Sequence, residues 1–211
     1  MGKTLRLGWP NRITIGRILL IGPFVVCLLN QDQPGYGWLR WAAISIFALM
    51  AVSDMLDGFL ARRLHDESDL GKFLDPLADK VLITTAVLIL CIHGVHSPMQ
   101  ETPMHLPDWV AVAAVGKDLV VSIGFAVTYL VTGKPFIQPR LPGKWCTTVQ
   151  LALVLAMLLW LDLPVWLWKL PEILWWAATI LAVCATLDYL RIGSRQLARS
   201  AAEKSQEDPG D

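Results

Sequence analysis

Four aspartates stand at regular intervals in a stretch of the chain that is bordered by apolar segments. In residues 53–80, Asp54 and Asp57 are three residues apart, and Asp75 and Asp79 are four residues apart. On a helix these intervals place both members of each pair on one face, the first pair about 4.5 Å apart along the axis. Carboxylates that converge repel one another unless cations bind between them, and oxygen ligands favour Mg²⁺, Mn²⁺ or Ca²⁺ over zinc. The spacing therefore predicts a site for divalent cations on two helices.

Small residues and Arg62 share these two helical stretches with the aspartates. Gly58 and Ala61 lie on the face of the first pair of aspartates, and Gly71 lies on that of the second. Small side chains leave room for a ligand beside the backbone, and Arg62 can bind a phosphate through two parallel hydrogen bonds. Together with a pair of cations, these residues suit a substrate that contains a pyrophosphate. The alternative is that the aspartates cap helix ends, which accounts for Asp75 before a proline but not for all four.

The rest of the sequence predicts the helices that would hold this site. The chain has 211 residues, 55% of them hydrophobic, which is too apolar for an ordinary soluble protein. A membrane-spanning helix needs about 20 mainly apolar residues. The segments that meet this requirement are 13–29, 38–60, 73–94, 109–132, 144–161 and 171–190. The sequence therefore predicts an all-α integral membrane protein with six transmembrane helices.

Basic residues predict which ends of these helices face the cytoplasm, because lysine and arginine are enriched in cytoplasmic loops. They stand before the first segment, in alternate connections and after the last segment: Lys3, Arg6, Arg12, Arg62, Arg63, Lys72, Lys134, Arg140, Lys144, Arg191, Arg195, Arg199 and Lys204. The other connections hold only Lys169, and Arg40 lies near the first of them. Both termini and a polar active-site cavity are therefore expected on the cytoplasmic side. Residues 1–200 are predicted to form one membrane domain, and residues 201–211 a disordered charged tail.

Other patterns in the sequence weigh against competing classes of protein. The formal net charge is zero, so no basic field indicates a nucleic-acid partner. The four cysteines stand singly in or beside apolar runs, as small apolar residues do. A cation transporter would place its carboxylates near the middle of the membrane, often within repeats. Here they cluster at one end of the helices and the sequence has no internal repeat, so a transporter is a remote alternative.

The motif D-x2-D-G-x2-A-R-x8-G-x3-D-x3-D runs from Asp54 to Asp79. At all eight of its positions it resembles the signature of the CDP-alcohol phosphatidyltransferases. The resemblance extends to the six-helix layout and to the segment Pro10-Asn11-x2-Thr14-x2-Arg17, so it covers most of the chain. Members of this family transfer a phosphatidyl or similar group from a CDP-linked donor to an alcohol and release CMP.

The resemblance implies a role for each residue of the motif. Asp54, Asp57, Asp75 and Asp79 would hold two ions, Mg²⁺ or Mn²⁺, and Asp79 would also act as general base on the acceptor hydroxyl. The residues expected to bind the CDP group are Asp54, Asp57, Gly58, Ala61, Arg62, Gly71 and Asp75. A site at the cytoplasmic face of the membrane lets the lipid chains stay in hydrocarbon while the nucleotide enters from water.

Three basic residues outside the motif bear on the alcohol acceptor. Lys117 lies inside the fourth predicted span, where an ionisable residue is costly and usually functional, and Arg140 and Lys144 flank the start of the fifth. If they converge, they form a pocket for an acceptor phosphate. For Arg140 and Lys144 the alternative is the general excess of basic residues in cytoplasmic loops. For Lys117 it is an ion pair with Asp118, which is weakened because adjacent residues point apart on a helix.

Further resemblance, in residues 71–81 and in Gly143-Lys144 followed by Thr147 and Gln150, is to the phosphatidylglycerophosphate synthase and cardiolipin synthase branch. A pocket of three cations favours glycerol 3-phosphate as the acceptor, because it carries nearly two negative charges. Phosphatidylglycerol, the acceptor in a cardiolipin synthase, is the alternative, because this chain has Lys117-Asp118 where phosphatidylglycerophosphate synthases commonly have Arg-Glu and the cardiolipin branch commonly has Arg-Asp. The expected partners are CDP-diacylglycerol, the acceptor and membrane lipids, without nucleic acid. The resemblance also allows a homodimer.

Overall fold

The computed structural model describes the backbone of residues 9–207 except 32, 34, 36, 65–68, 96–102 and 133–140. Within the helices, the side chains of residues 9–13, 54–64, 69–77, 125–126, 128–132, 141–142, 144 and 195–207 are not described. The described residues form six long helices: α1 (Trp9–Leu29), α2 (Trp38–Leu64), α3 (Asp69–Ile92), α4 (Asp108–Thr132), α5 (Leu141–Leu159) and α6 (Leu170–Glu207). In this part of the chain the only β-type pairing is a single bridge between Val95 and Met104, so the predicted all-α fold class is confirmed.

Each helix coincides with one of the predicted apolar segments, and the largest difference is at the end of α6. The sequence predicted that this helix ends near residue 190, whereas the helix continues to Glu207. Its polar part is rich in alanine, glutamate, lysine and arginine, which favour helix, and no proline interrupts residues 172–207. Helix α6 therefore includes the first seven residues of the predicted tail. The division into a domain of residues 1–200 and a tail stays a prediction.

Two helices of the described chain are long and apolar enough to cross a membrane. The apolar stretches are Trp145–Asp162, which includes most of α5, and Val165–Ser194, which includes most of α6. Two shorter apolar stretches, Thr14–Leu29 and Trp38–Ser53, lie in α1 and α2. Large apolar side chains are also exposed on the helix surfaces, as in a protein that faces lipid. These features indicate a membrane protein.

The chain divides into two compact units, Met1–Pro107 with Leu151–Pro171, and Asp108–Gln150 with Glu172–Asp211. In the first unit, α1 packs against both α2 and α3. Phe24 of α1 and Phe47 of α2 are buried with their ring centroids 5.7 Å apart, and Leu28, Met50 and Leu90 are buried as well. Helix α1 therefore holds in place the two helices that carry the aspartates.

Contacts at the opposite ends of α2 and α3 from the aspartates fix this unit further. Gly94 follows α3 with φ of 68°, and a Cβ atom there would lie 2.8 Å from the carbonyl oxygen of Met104. That close approach lets Val95 and Met104 exchange two backbone hydrogen bonds, at 2.9 and 3.0 Å. Near the start of α2, Arg40 donates hydrogen bonds to the carbonyl oxygen of Leu158 and forms an ion pair with Asp162.

The second unit contains α4, the first half of α5 and α6. Trp109 at the start of α4 packs on Trp176 of α6, with their ring centroids 4.8 Å apart. Several of the residues that line the space between these two helices are small. An open groove of about 210 Å³ is lined by Val112, Ala113, Gly116, Lys117, Ala182, Val183, Thr186 and Leu187. It places one basic side chain among apolar and small neighbours.

Candidate active site

The four aspartates lie on two helices that share one neighbour. Asp54 and Asp57 belong to the last part of α2, and Asp75 and Asp79 belong to the first half of α3. Because α1 packs against both helices, the two pairs belong to the same unit. The helical backbone confirms that each pair shares a helix face, as the spacing predicted. The side chains of Asp54, Asp57 and Asp75 lie outside the described residues, so their convergence stays a prediction.

Asp79 is held by an arginine from another helix. Arg17 of α1 donates a hydrogen bond from its guanidinium to Asp79 Oδ1 at 2.6 Å, a charge-assisted contact. The Arg17 side chain is 1% exposed, whereas that of Asp79 is 30% exposed. The guanidinium therefore lies on the buried side of the pair and the carboxylate on the accessible side.

Arg17 was absent from the predicted site residues, although it belongs to the segment Pro10-Asn11-x2-Thr14-x2-Arg17 that carried part of the resemblance. The signal in the sequence was an arginine among apolar residues of the first predicted span. Thr14, one turn earlier, is also buried. The same face of α1 continues with buried Phe24 and Leu28, so one face carries a polar end and an apolar end.

The donor set suits a hard divalent cation. Four carboxylates on two helices of one unit would supply oxygen ligands, which Mg²⁺ and Mn²⁺ prefer. Among the side chains that the structure describes, no three or more histidine, cysteine, aspartate or glutamate residues lie together in a group that could hold a metal ion. Three of the four aspartate side chains lie outside the described residues, so the metal site stays a prediction. The positions predicted to bind CDP, Gly58, Ala61, Arg62 and Gly71, likewise lie on α2 and α3 without described side chains.

Lys117, the first residue of the predicted acceptor pocket, is 6% exposed inside α4. Its Nζ lies 3.3 Å from Asp118 Oδ1 and donates to Gln150 Oε1 at 3.4 Å, and the Cys146 thiol is adjacent. The ion pair with Asp118, which was the weaker alternative for Lys117, is therefore present in the structure. The four-carbon stem of lysine lets the ammonium reach the neighbouring carboxylate although the two Cβ atoms diverge.

Gln150 of α5 extends this polar cluster. Its side chain is 1% exposed, and its Nε2 has no hydrogen-bond acceptor among the described residues. A buried donor of this kind normally has a partner, so the position has the capacity to bind a further acceptor atom. Arg140 and the side chain of Lys144 lie outside the described residues. Whether they converge with Lys117 therefore stays a prediction.

A family model described as CDP-alcohol phosphatidyltransferase matches residues 7–184 of the chain. The chain belongs to this family. The matched range includes the four aspartates, Arg17, Lys117 and Gln150, and extends into α6. The family predicted from the motif and the enzyme class of a CDP-alcohol phosphatidyltransferase are both confirmed by this match.

Curated members of the CDP-alcohol phosphatidyltransferase family resemble the chain over most of its length. A protein of Escherichia coli (strain K12), named CDP-diacylglycerol–glycerol-3-phosphate 3-phosphatidyltransferase, is 32% identical over 181 residues, which are 86% of this chain and 92% of that protein. A protein of Shigella flexneri serotype 5b with the same name matches to the same extent. A protein of Pseudomonas fluorescens, again of this name, is 39% identical over 116 residues, which are 54% of this chain and 52% of that relative. The last match thus spans about half of the relative.

Proposed function

We propose that the chain is an integral membrane enzyme of phospholipid biosynthesis that transfers the phosphatidyl group of CDP-diacylglycerol to glycerol 3-phosphate. The observation that carries this proposal is the similarity to the E. coli protein over 86% of the chain, because the name of that protein states both substrates. The eight-position motif supports the donor, and the burial of Lys117 supports a phosphorylated acceptor.

The proposed reaction is a substitution at the phosphorus atom that carries diacylglycerol. A free hydroxyl oxygen of glycerol 3-phosphate forms a new bond to that phosphorus. The bond from the phosphorus to the bridging oxygen of the pyrophosphate breaks, and CMP leaves with that oxygen. The hydroxyl proton passes to the Asp79 carboxylate, which acts as general base. The products are phosphatidylglycerophosphate and CMP.

The aspartates would bind the metal ions on which this family generally depends. Asp54, Asp57, Asp75 and Asp79 would hold two Mg²⁺ or Mn²⁺ ions, which neutralise the charge of the pyrophosphate and of the departing CMP. Gly58, Ala61 and Gly71 would leave room for the nucleotide beside α2 and α3, and Arg62 would bind a phosphate oxygen. The helical spacing of these positions supports the assignment.

The acceptor pocket would be formed by Lys117, Arg140 and Lys144. The burial of Lys117 supports this role, because a lysine removed from water binds an anion more strongly than an exposed one. Asp118 keeps the lysine compensated when no acceptor is present. A homodimer is proposed on the family resemblance alone.

All six helices are proposed to cross the membrane, with both termini and a polar cavity on the cytoplasmic side. The excess of basic residues in alternate connections supports this orientation. The two longest apolar stretches, in α5 and α6, support the insertion itself. In this arrangement the donor keeps its acyl chains in the membrane while its nucleotide lies at the surface.

The decisive experiment offers different acceptors to the purified protein in liposomes that contain CDP-diacylglycerol. Glycerol 3-phosphate, phosphatidylglycerol, serine and inositol are supplied separately, and the release of CMP and the lipid product are measured. We expect release with glycerol 3-phosphate, its loss when EDTA is added, and its return with Mg²⁺ or Mn²⁺ in excess.

Two results would overturn the proposal. Release of CMP with phosphatidylglycerol, and none with glycerol 3-phosphate, would identify a cardiolipin synthase. Cation flux across the liposome membrane without any release of CMP would identify a transporter.

A further inference from the structure

The Arg17–Asp79 ion pair joins a residue outside the aspartate motif to the last aspartate of that motif. We propose that Arg17 is a positioning residue for the transfer reaction: it fixes the orientation of the Asp79 carboxylate toward the acceptor hydroxyl. This inference rests on the proposed function, in which Asp79 is the general base.

Burial is the first argument, because a guanidinium removed from water is costly unless it is paired. Arg17 is 2% exposed on a helix whose outer surface is apolar. Ionisable side chains in such segments are rare and usually functional. The contact to Asp79 at 2.6 Å supplies the partner, 62 residues further along the chain.

The asymmetry of the pair is the second argument. A pair that serves only to join two helices gains nothing from an accessible member, since water weakens the attraction. Here the arginine side chain is 1% exposed and the carboxylate 30% exposed. The arginine therefore holds the carboxylate from its buried side. The exposed side of the carboxylate stays accessible to a substrate.

The packing of α1 is the third argument. Thr14 and Arg17 occupy the polar end of the buried face, and Phe24 and Leu28 occupy its apolar end. The contact of Phe24 with Phe47 fixes α1 against α2, while the ion pair fixes it against α3. The guanidinium is thus set at the level of Asp79 by contacts that do not involve the substrate.

The experiment compares three variants of the full-length protein in liposomes. Arg17→Gln removes the charge, Arg17→Lys keeps the charge without the planar fork, and Arg40→Gln breaks the other described Arg–Asp pair of the same unit, with Asp162. The measurements are kcat, the KM of each substrate, the Kd of CMP and the thermal midpoint.

We expect Arg17→Gln to lower kcat by about 30-fold or more, a part of the 10²–10⁴ that a general base contributes, with Kd for CMP changed by less than about threefold. Arg17→Lys recovers part of the loss, because the ammonium still attracts the carboxylate. Arg40→Gln lowers the thermal midpoint and leaves kcat near that of the unaltered protein.

A double-mutant cycle separates positioning from a structural role. In the background of Asp79→Asn, Arg17→Gln is expected to lower kcat by less than about twofold, because the carboxylate through which the arginine acts is already gone. A loss that multiplies with that of Asp79→Asn would overturn the inference. So would a kcat for Arg17→Gln within about threefold of the unaltered protein.

Failure of this inference differs from failure of the proposed function. If the unaltered protein releases no CMP with any acceptor, the proposed function is wrong. If it turns over glycerol 3-phosphate and both Arg17 variants keep full kcat, only the positioning role is wrong. If Arg17→Gln does not fold, the test uses Arg17→Lys. An unchanged kcat with a lowered thermal midpoint in Arg17→Lys would show that Arg17 has only a structural role.

Discussion

Two buried cations, one in each unit of the molecule, are held in different ways. Arg17 donates to the carboxylate of a distant residue, Asp79, at 2.6 Å. Lys117 makes longer contacts, 3.3 Å to its neighbour Asp118 and 3.4 Å to the amide oxygen of Gln150. A contact of 2.6 Å is a strong charge-assisted bond, whereas 3.3–3.4 Å lies beyond the usual range. Arg17 is therefore held by one strong contact within the free protein, whereas Lys117 is held by weaker contacts that leave it capacity for a ligand.

This difference assigns the two regions to different parts of the proposed reaction. A carboxylate held in one orientation suits a step in which a proton must be accepted at a defined place. A lysine with long contacts suits the reversible binding of an anion. Changes around Arg17 and Asp79 should therefore act on kcat, and changes around Lys117 and Gln150 should act on the KM of the acceptor.

The largest effect is expected from Asp79→Asn. It keeps the shape of the side chain and removes the base, so kcat should fall by about 10²–10⁴, while the Kd of CMP changes by less than about tenfold. Turnover in liposomes and CMP binding by calorimetry would measure both quantities. Asp162→Asn, which changes the other described carboxylate paired with an arginine in this unit, is the matched control and should leave kcat unchanged.

If Asp79→Asn kept full turnover, the first region would have no special part in the proton transfer. The contrast between the two cations would then be one of packing alone.

A smaller effect of a different kind is expected from Lys117→Met. Methionine fills a similar volume without charge, so the KM of glycerol 3-phosphate should rise by about 10–100-fold, the equivalent of one charge-assisted contact. The KM of CDP-diacylglycerol should stay within about threefold, because the donor is bound by other residues. Initial rates over a range of each substrate would separate the two.

Lys169→Met, which removes an exposed lysine outside the predicted pocket, is the control for Lys117→Met. An unchanged KM for glycerol 3-phosphate in Lys117→Met, or an equal rise in both variants, would exclude Lys117 from acceptor binding.

The helices could be predicted from the sequence to a greater degree than the contacts of Arg17 and Lys117. Apolar runs and charged connections marked all six helices, because burial in a membrane or a core depends on composition over many residues. The end of α6 was missed, since helix propensity continues beyond the apolar run. The spacing of the aspartates gave their helix faces, because that spacing depends only on the local period.

Contacts between helices could not be predicted from the sequence. The pairing of Arg17 with Asp79 depends on how α1 packs against α3, and no local pattern encodes that packing. The ion pair of Lys117 with Asp118 stood as a weakened alternative because the two Cβ atoms diverge, and the length of the lysine side chain overcomes that divergence. An arginine or lysine inside an apolar run was a sufficient signal that a partner exists, without identifying it.

The smallest effect is expected from Gln150→Leu. This change removes the amide oxygen that Lys117 contacts and the Nε2 donor that has no acceptor among the described residues. If that donor binds the acceptor, the KM of glycerol 3-phosphate should rise by about 3–10-fold, as for one neutral hydrogen bond, with kcat preserved. Thr179→Val is the matched control, because Thr179 Oγ1 is another buried group without a partner in the described part of this unit.

The outcome for Gln150 decides how far the comparison of the two regions extends. An effect confined to the KM of the acceptor would make the glutamine part of a recognition surface that continues from α4 to α5. A lower thermal midpoint with unchanged KM would instead mean that the glutamine only supports the lysine from behind, as Arg17 supports Asp79. An unsatisfied buried donor costs about 1–3 kcal/mol, so in that case removal of the amide should also recover part of the stability that is lost with the contact to Lys117.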